Sequence, residues 1–257
     1  MLKRNITTCI LFLITALTTN LFAATSSQRI EFKSTDGLLI TADRYTPHKA
    51  DAPLIVLFHQ AGSSRGEYSE IAPRLNRLGF NCIAVDQRSG EHSRGIDNQT
   101  AIRAGSAGLP TSYADALPDI IAALRYARKN YPHSKIIAWG SSYSASLVLK
   151  VAGDQPELVD GVIAFSPGEY FAHLGNSKTW IRDSAKNIQV PVFISSSRNE
   201  TKRWADIYRV IPEKWRHSFI PETAGKHGSK ALWKKYADSP AYWQAVTAFL
   251  KDYTTAP

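Results

Sequence analysis

The sequence predicts an α/β domain built on a mainly parallel sheet of about eight strands, with helices on both faces. Three observations carry that expectation. Continuous apolar runs such as "PLIVLFH" (residues 53–59) and "KIIAW" (residues 135–139) suit strands covered on both sides. Segments with apolar residues at helical spacing alternate with those runs, as crossover connections between parallel strands require. The chain also shows no repeat or low-complexity linker that would divide it.

Taken in order, "RIEFKS" and "LLITADRY" flank "TDG" at residues 35–37, and the Asp-Gly pair predicts a hairpin at one antiparallel edge. "PLIVLFH" follows as the third strand. A helix with Ile71, Leu75 and Leu78 on one face ends at Gly79, before the strand "NCIAVD". From there to about Thr111 the chain is polar and glycine-rich and reads as a long surface loop. Leu117, Ile120, Ile121 and Leu124 mark the next helix, "KIIAW" a strand, and residues 145–152 another helix. "DGVIAFS", "VPVFISS" and "HSFIP" are the remaining strands. The last helix carries Tyr242, Val246 and Phe249 on one face, with Ser239 as expected N-cap and Pro240 at its first position.

At 257 residues and 44% hydrophobic, the chain can bury a substantial core. Its first residues place Lys3 and Arg4 before an uncharged stretch through Leu17, then small residues at Ala23 and Ala24. The apolar part is about half the roughly 20 residues a membrane span needs. We therefore expect residues 1–23 to be a removed secretory signal, and residues 24–257 to form one domain in the periplasm or outside the cell. Its removal takes Cys9, leaving Cys82 in an apolar strand as a small hydrophobe rather than a nucleophile or disulfide partner. Loss of Lys3 and Arg4 lowers the net charge from +9 to +7. The basic residues are scattered among acids with no long run, which argues against a nucleic-acid partner. No histidine–carboxylate cluster has metal-ligand spacing, and neither a metal nor a cofactor is expected.

Residues 135–150, "KIIAWGSSYSASLVLK", crowd four serines at a junction of strand and helix. A sharp turn there can present a side chain at its apex, provided the residues two positions either side are small. Ser142 meets that condition, between Gly140 and Ser144. Ser141 has Trp139 behind it, and Ser144 already lies in the helix. A cluster of helix-capping serines would explain Ser141 or Ser142 alone. It would not explain an acid and a histidine following near later strand ends, Glu200 in "VPVFISSSRNE" and His227 in "TAGKHGSKAL". Glu169, after the preceding strand, and Asn199 are rivals for the acid position.

With "FHQAG" after the third strand, the turn at residues 140–144, "VPVFISSSRNE" and "GKHGS" in that order, the chain from about Arg29 to the last helix resembles an α/β-hydrolase, nearest the dienelactone-hydrolase-like and small serine esterase branches. It departs from the pattern in reading Gly-x-Ser-x-Ser and in having Gln60 where many relatives carry glycine. Dienelactone-branch members often use a cysteine where Ser142 stands, which sets dienelactone itself aside as substrate. The resemblance implies a Ser142–His227–Glu200 triad, with an oxyanion hole from the backbone N–H groups of Tyr143 and Gln60. It implies hydrolysis of small-molecule carboxylic esters without a cofactor. Candidates for substrate contact are His59, His92 and Tyr170. Between the strands ending near Ser166 and starting at Val190 lie only about two dozen residues, too few for a large helical lid. A peptidase of the prolyl-oligopeptidase kind and a non-catalytic hydrolase-like binder are the alternatives.

Overall fold

The computed structural model describes residues 27–254. The signal assigned to residues 1–23, with Cys9, lies outside the described residues. Strands β1 (Gln28–Lys33) and β2 (Leu39–Tyr45) form the expected hairpin, closed by a turn in which Gly37 takes φ 89°. Then follow β3 (Leu54–Phe58), α1 (Ile71–Arg77), β4 (Asn81–Val85), α2 (Gln99–Ser106), α3 (Leu117–Asn130), β5 (Ile136–Ser141) and α4 (Tyr143–Asp154). The remainder is β6 (Gly161–Phe165), α5 (Trp180–Ala185), β7 (Val192–Ser195), α6 (Thr201–Val210), β8 (Arg216–Phe219) and α7 (Ser239–Leu250). The sheet order is β1-β2-β4-β3-β5-β6-β7-β8. β2 runs antiparallel to β1 and β4, and the other pairs are parallel.

Apolar runs without alternation are explained by two cores, one on each face. In β3, Leu54, Val56 and Phe58 join α3 and α4, while Ile55 and Leu57 join Leu75 of α1 and Val246 of α7. β5 divides likewise, with Ile136 and Ala138 on one side and Ile137 and Trp139 on the other. Trp139 is fully buried and stacks on Phe165 at 5.4 Å, and truncating such a side chain costs about 3–5 kcal/mol. Cys82 lies in the same core, where burial pushes its thiol up, away from reactivity.

The stretch after β4 differs from the expected surface loop. It contains a short ribbon (His92–Ser93 with Ile96–Asp97) and α2, whose first turn is capped by Asn98 accepting from Ala101 N at 2.8 Å. Thr100 and Ala104 are buried, and Thr100 Oγ1 accepts from Thr41 N of β2. Arg88 is 3% exposed because Asp119 and Asp36 hold its guanidinium. A polar sequence thus packs inward through paired charges, which hydrophobic patterning does not register. At the other end α7 begins one residue early. Ser239 is helical, and its hydroxyl donates to Leu232 O instead of capping.

Register fixes where chemistry can occur. Phe58 pairs with Gly140, Ser141 with Phe165, and Phe165 with Ser195, so the carboxyl ends of β3, β5, β6 and β7 lie level. The segments leaving those ends carry His59, Ser142, Ser166 and Glu200, at the edge where such sheets meet ligands. A cavity of about 1070 Å³ lies at the opposite end, lined by Pro53, Lys135, Asp160 and Pro191, each just ahead of a strand. It is not part of the site described next.

Candidate active site

Ser142 joins β5 to α4 with φ 60° and ψ −120°, a left-handed-side conformation that non-glycine residues adopt only where surroundings force it. The surroundings are visible. A Cβ on Gly140 would sit 2.4 Å from Ala145 N and from the Ser144 carbonyl group, so the turn closes only on glycine. Ser142 N donates to Phe165 O at 2.7 Å. The neighbouring serines are structural. Ser144 Oγ accepts from Ser141 N at 2.8 Å and shares its hydrogen between Phe58 O and Ser141 O. Ser141 Oγ accepts from Ser229 N at 2.8 Å, and Ser146 Oγ donates to Gly168 O at 2.7 Å. Ser141, Ser144 and Ser146 are fully buried, and Ser142 is the half-buried one at the apex.

Glu200 ends a single helical turn after β7 and is 8% exposed. Its Oε1 lies 2.5 Å from Nδ1 of His227, and its Oε2 accepts from Ser197 Oγ at 2.7 Å and Ser166 Oγ at 2.9 Å. Burial alone would raise this carboxyl. The hydrogen bonds from His227 and Ser197, the His227 charge and the Ser166 bond outweigh it and hold the group at about 2. An ionised carboxylate only accepts, so Nδ1 carries the hydrogen of this contact, which leaves Nε2 as the nitrogen that can exchange a proton. The residues after His227 are pinned beside the turn, Gly228 N to Ser166 Oγ at 2.9 Å and Ser229 N to Ser141 Oγ. Gly228 takes φ 70°, and a Cβ there would meet Ser141 Oγ at 2.6 Å.

Neither rival for the acid reaches His227. Glu169 accepts from Ile181 N at 3.0 Å and Arg182 N at 2.9 Å, capping α5. Asn199 is exposed, and its Oδ1 shares the one Ser197 hydroxyl hydrogen with Oε2 of Glu200.

Tyr143 N–H, the first of α4, has no acceptor among the described residues. Gln60 differs from expectation. Its N–H donates to Oε2 of Glu67 at 2.9 Å and is therefore not free for an oxyanion. Glu67 is fully buried, and burial pushes its carboxyl up against the opposing hydrogen bond from Gln60. The next N–H, of half-buried Ala61, has no acceptor among the described residues. His59 also corrects the reading as a substrate contact. It is fully buried, its Nδ1 faces Gln60 O at 2.8 Å, and its Nε2 accepts from Gln87 N at 3.1 Å and Asn98 Nδ2 at 3.0 Å. Burial lowers it to about 4, against hydrogen bonds to Gln60 and Gln87, so a neutral ring supports the loop at residues 60–62. His92 is exposed on the ribbon, where it meets Asp97 Oδ1 at 2.7 Å and Gly95 N, and neither contact reaches the turn. Tyr170 is at the site. Burial and the Glu200 charge push its phenol up to about 12, against Arg203 and a hydrogen bond with Ser142.

Beside the 60–62 loop lies a cavity of about 290 Å³ lined by Ala61, Gly62, Ser89, Gly90, Thr111 and Tyr113. Tyr113 stacks on Tyr143 at 4.9 Å, tying this cavity to the start of α4. Among the described residues no three His, Cys, Asp or Glu side chains gather as a metal site would require, and no helix is long and apolar enough to cross a membrane.

The family model described as "Serine aminopeptidase, S33" matches residues 49–175, a span that includes Ser142 and stops short of Glu200 and His227. Rat (Rattus norvegicus) monoglyceride lipase is 26% identical over 137 residues, which cover 51% of this chain and 40% of the lipase. The chain thus spans well under half the length of that relative. The esterase Pf2001 of Pyrococcus furiosus superposes with a TM-score of 0.68 at 18% identity, covering 90% of this chain and 94% of that one. A dienelactone hydrolase of Anabaena variabilis gives 0.67 at 15% identity, over 90% and 99% of the two chains. The likeness to these solved structures covers nine-tenths of this chain, and the chain has the α/β-hydrolase fold.

Proposed function

We propose that the protein is an exported serine hydrolase that cleaves small carboxylic esters through Ser142, His227 and Glu200. The observation that carries this reading is the 2.5 Å contact of His227 with an ionised Glu200, on a loop tied through Ser229 to the residue before Ser142. A serine hydroxyl is a weak nucleophile at neutral pH and needs a base beside it. Ser142 Oγ attacks the ester carbonyl carbon while Nε2 of His227 takes its proton. The carbon–oxygen bond to the alcohol then breaks, and His227 returns that proton to the leaving oxygen. Water repeats the sequence on the acyl-enzyme and releases the acid. Glu200 keeps the hydrogen on Nδ1 throughout and stabilises the imidazolium. The oxyanion is held by the N–H of Tyr143 and, in place of Gln60, that of Ala61. One such donor is worth about 3 kcal/mol.

The substrate class follows from the surroundings. The connection from β6 to β7 contains one 3-10 turn (Ala172–Leu174) and the six-residue α5, and the cavity beside the 60–62 loop holds about 290 Å³. Both favour short esters. The description of the matching family model gives the peptidase reading its weight. A short-chain p-nitrophenyl ester and an aminoacyl-nitroanilide, assayed side by side, separate the two. We expect hydrolysis of the ester, its loss in Ser142→Ala with the thermal midpoint unchanged, and a single fluorophosphonate adduct on Ser142. An adduct on Ser141 or Ser144, or turnover of the anilide alone, sinks this reading.

A further inference from the structure

We infer that Ser166 is a positioning residue for this site, a hydroxyl that locks the acid, the histidine loop and the Tyr170 wall into one arrangement. The inference rests on the hydrolase reading above. Ser166 is the first residue after β6 and is 1% exposed. Its Oγ has one hydrogen and two lone pairs. The hydrogen goes to Oε2 of Glu200 at 2.9 Å, and a lone pair accepts from Gly228 N, also at 2.9 Å. One hydroxyl therefore bridges the carboxylate to the residue after His227, independently of the Glu200–His227 contact itself. Its backbone adds two further ties. Ser166 N donates to Ser195 O at the end of β7, and Ser166 O accepts from the Tyr170 hydroxyl at 2.8 Å. Ser197 also donates to Glu200, but its hydroxyl otherwise meets only Asn199 and does not touch the histidine loop.

The backbone indicates why serine stands here. Ser166 has φ 58°, and among the described residues only Arg94 and Ser142 are other non-glycine residues with positive φ. Glycine would hold this conformation without strain, whereas serine holds it at a cost in free energy. A residue that the backbone disfavours, carrying a side chain with two well-directed bonds into the site, is there for the side chain.

The test uses the full chain with Ser166→Ala, which keeps the strained φ, and Ser166→Gly, which relieves it. Both lack the hydroxyl. On a short p-nitrophenyl ester we expect kcat to fall about 10- to 100-fold in each, with KM within twofold, as for leaving a buried charged group short of a partner. The rate of fluorophosphonate labelling at Ser142 should fall in parallel, because it depends on the same activation. Ser166→Gly should melt at or above Ser166→Ala while remaining equally slow. A residue that only supports the fold would give the opposite, with activity recovering in Ser166→Gly as stability does. That result, or kcat within twofold of the parent in both variants, overturns the inference. If the parent protein hydrolyses no ester, or Ser142→Ala is as fast as the parent, the hydrolase reading falls and takes this one with it. A parent whose activity needs Ser142, beside unaltered Ser166 variants, overturns only the role of Ser166.

Discussion

Replacing Glu200 by Gln keeps the shape of the side chain and removes one acceptor oxygen and the charge. In the parent, Oε1 faces Nδ1 of His227 while Oε2 takes hydrogens from Ser166 and Ser197. Glutamine must turn its NH₂ toward one set or the other. Toward His227, it forces the imidazole hydrogen onto Nε2, leaving no base for Ser142. Toward the serines, it requires both hydroxyls to accept, and Ser166 already accepts from Gly228. Either way the imidazolium formed in the reaction loses its counter-charge. The expected loss is about 10⁴-fold in kcat, or about 5.5 kcal/mol of barrier, with KM little changed. Stability carries a second signature. A carboxyl held at about 2, below its ordinary value of 4.5, stabilises the fold above pH 4.5, and that contribution is lost as pH falls from there through 2. It amounts to at most about 3 kcal/mol, so the acid unfolding of Glu200→Gln should be shallower across that window. Glu169→Gln is the control. It loses part of a cap on α5, worth about 1 kcal/mol, and should hydrolyse the same ester within a few-fold of the parent. Steady-state kinetics on one ester decide the matter. A crippled Glu169→Gln beside a Glu200→Gln within tenfold of the parent would refute the assignment.

Gly140→Ala should be destabilised by about 3 kcal/mol, at the upper end of overpacking costs, and inactive even where folded, because its Cβ would press within 2.4 Å of backbone atoms of Ser144 and Ala145. A variant with parental melting and activity would show that the turn does not need glycine there. N-terminal sequencing of the exported protein should find a start near Ala24, as the short uncharged run behind Lys3 and Arg4 implies. A mature chain that still carries Leu11 and Leu17 would defeat the export proposal.

What could be read in the sequence was what neighbours along the chain decide. The two-sided strands follow from uninterrupted apolar runs such as residues 54–58, and the apex serine follows from sterics within two positions of Ser142. The features that escaped depend on meetings between distant segments. Glu67 lies in the polar string "SSRGEYSE", yet the fold buries it completely and gives it the Gln60 N–H that the oxyanion was expected to take. Helix α2 carries little apolar signal in "QTAIRAGS", and its cap residue Asn98 is fully buried beside His59. Ser166 looked like the last residue of the strand "DGVIAFS". Its positive φ and its two side-chain partners, 34 and 62 residues away, exist only once β6 lies between β5 and β7. The sequence therefore identifies groups able to react more readily than the groups that hold them, because reactivity is a property of a residue type in a local turn and support is a property of register. The same distinction bears on the acid: Glu200, Glu169 and Asn199 all lie near strand ends, and what each carboxyl or amide touches supports Glu200.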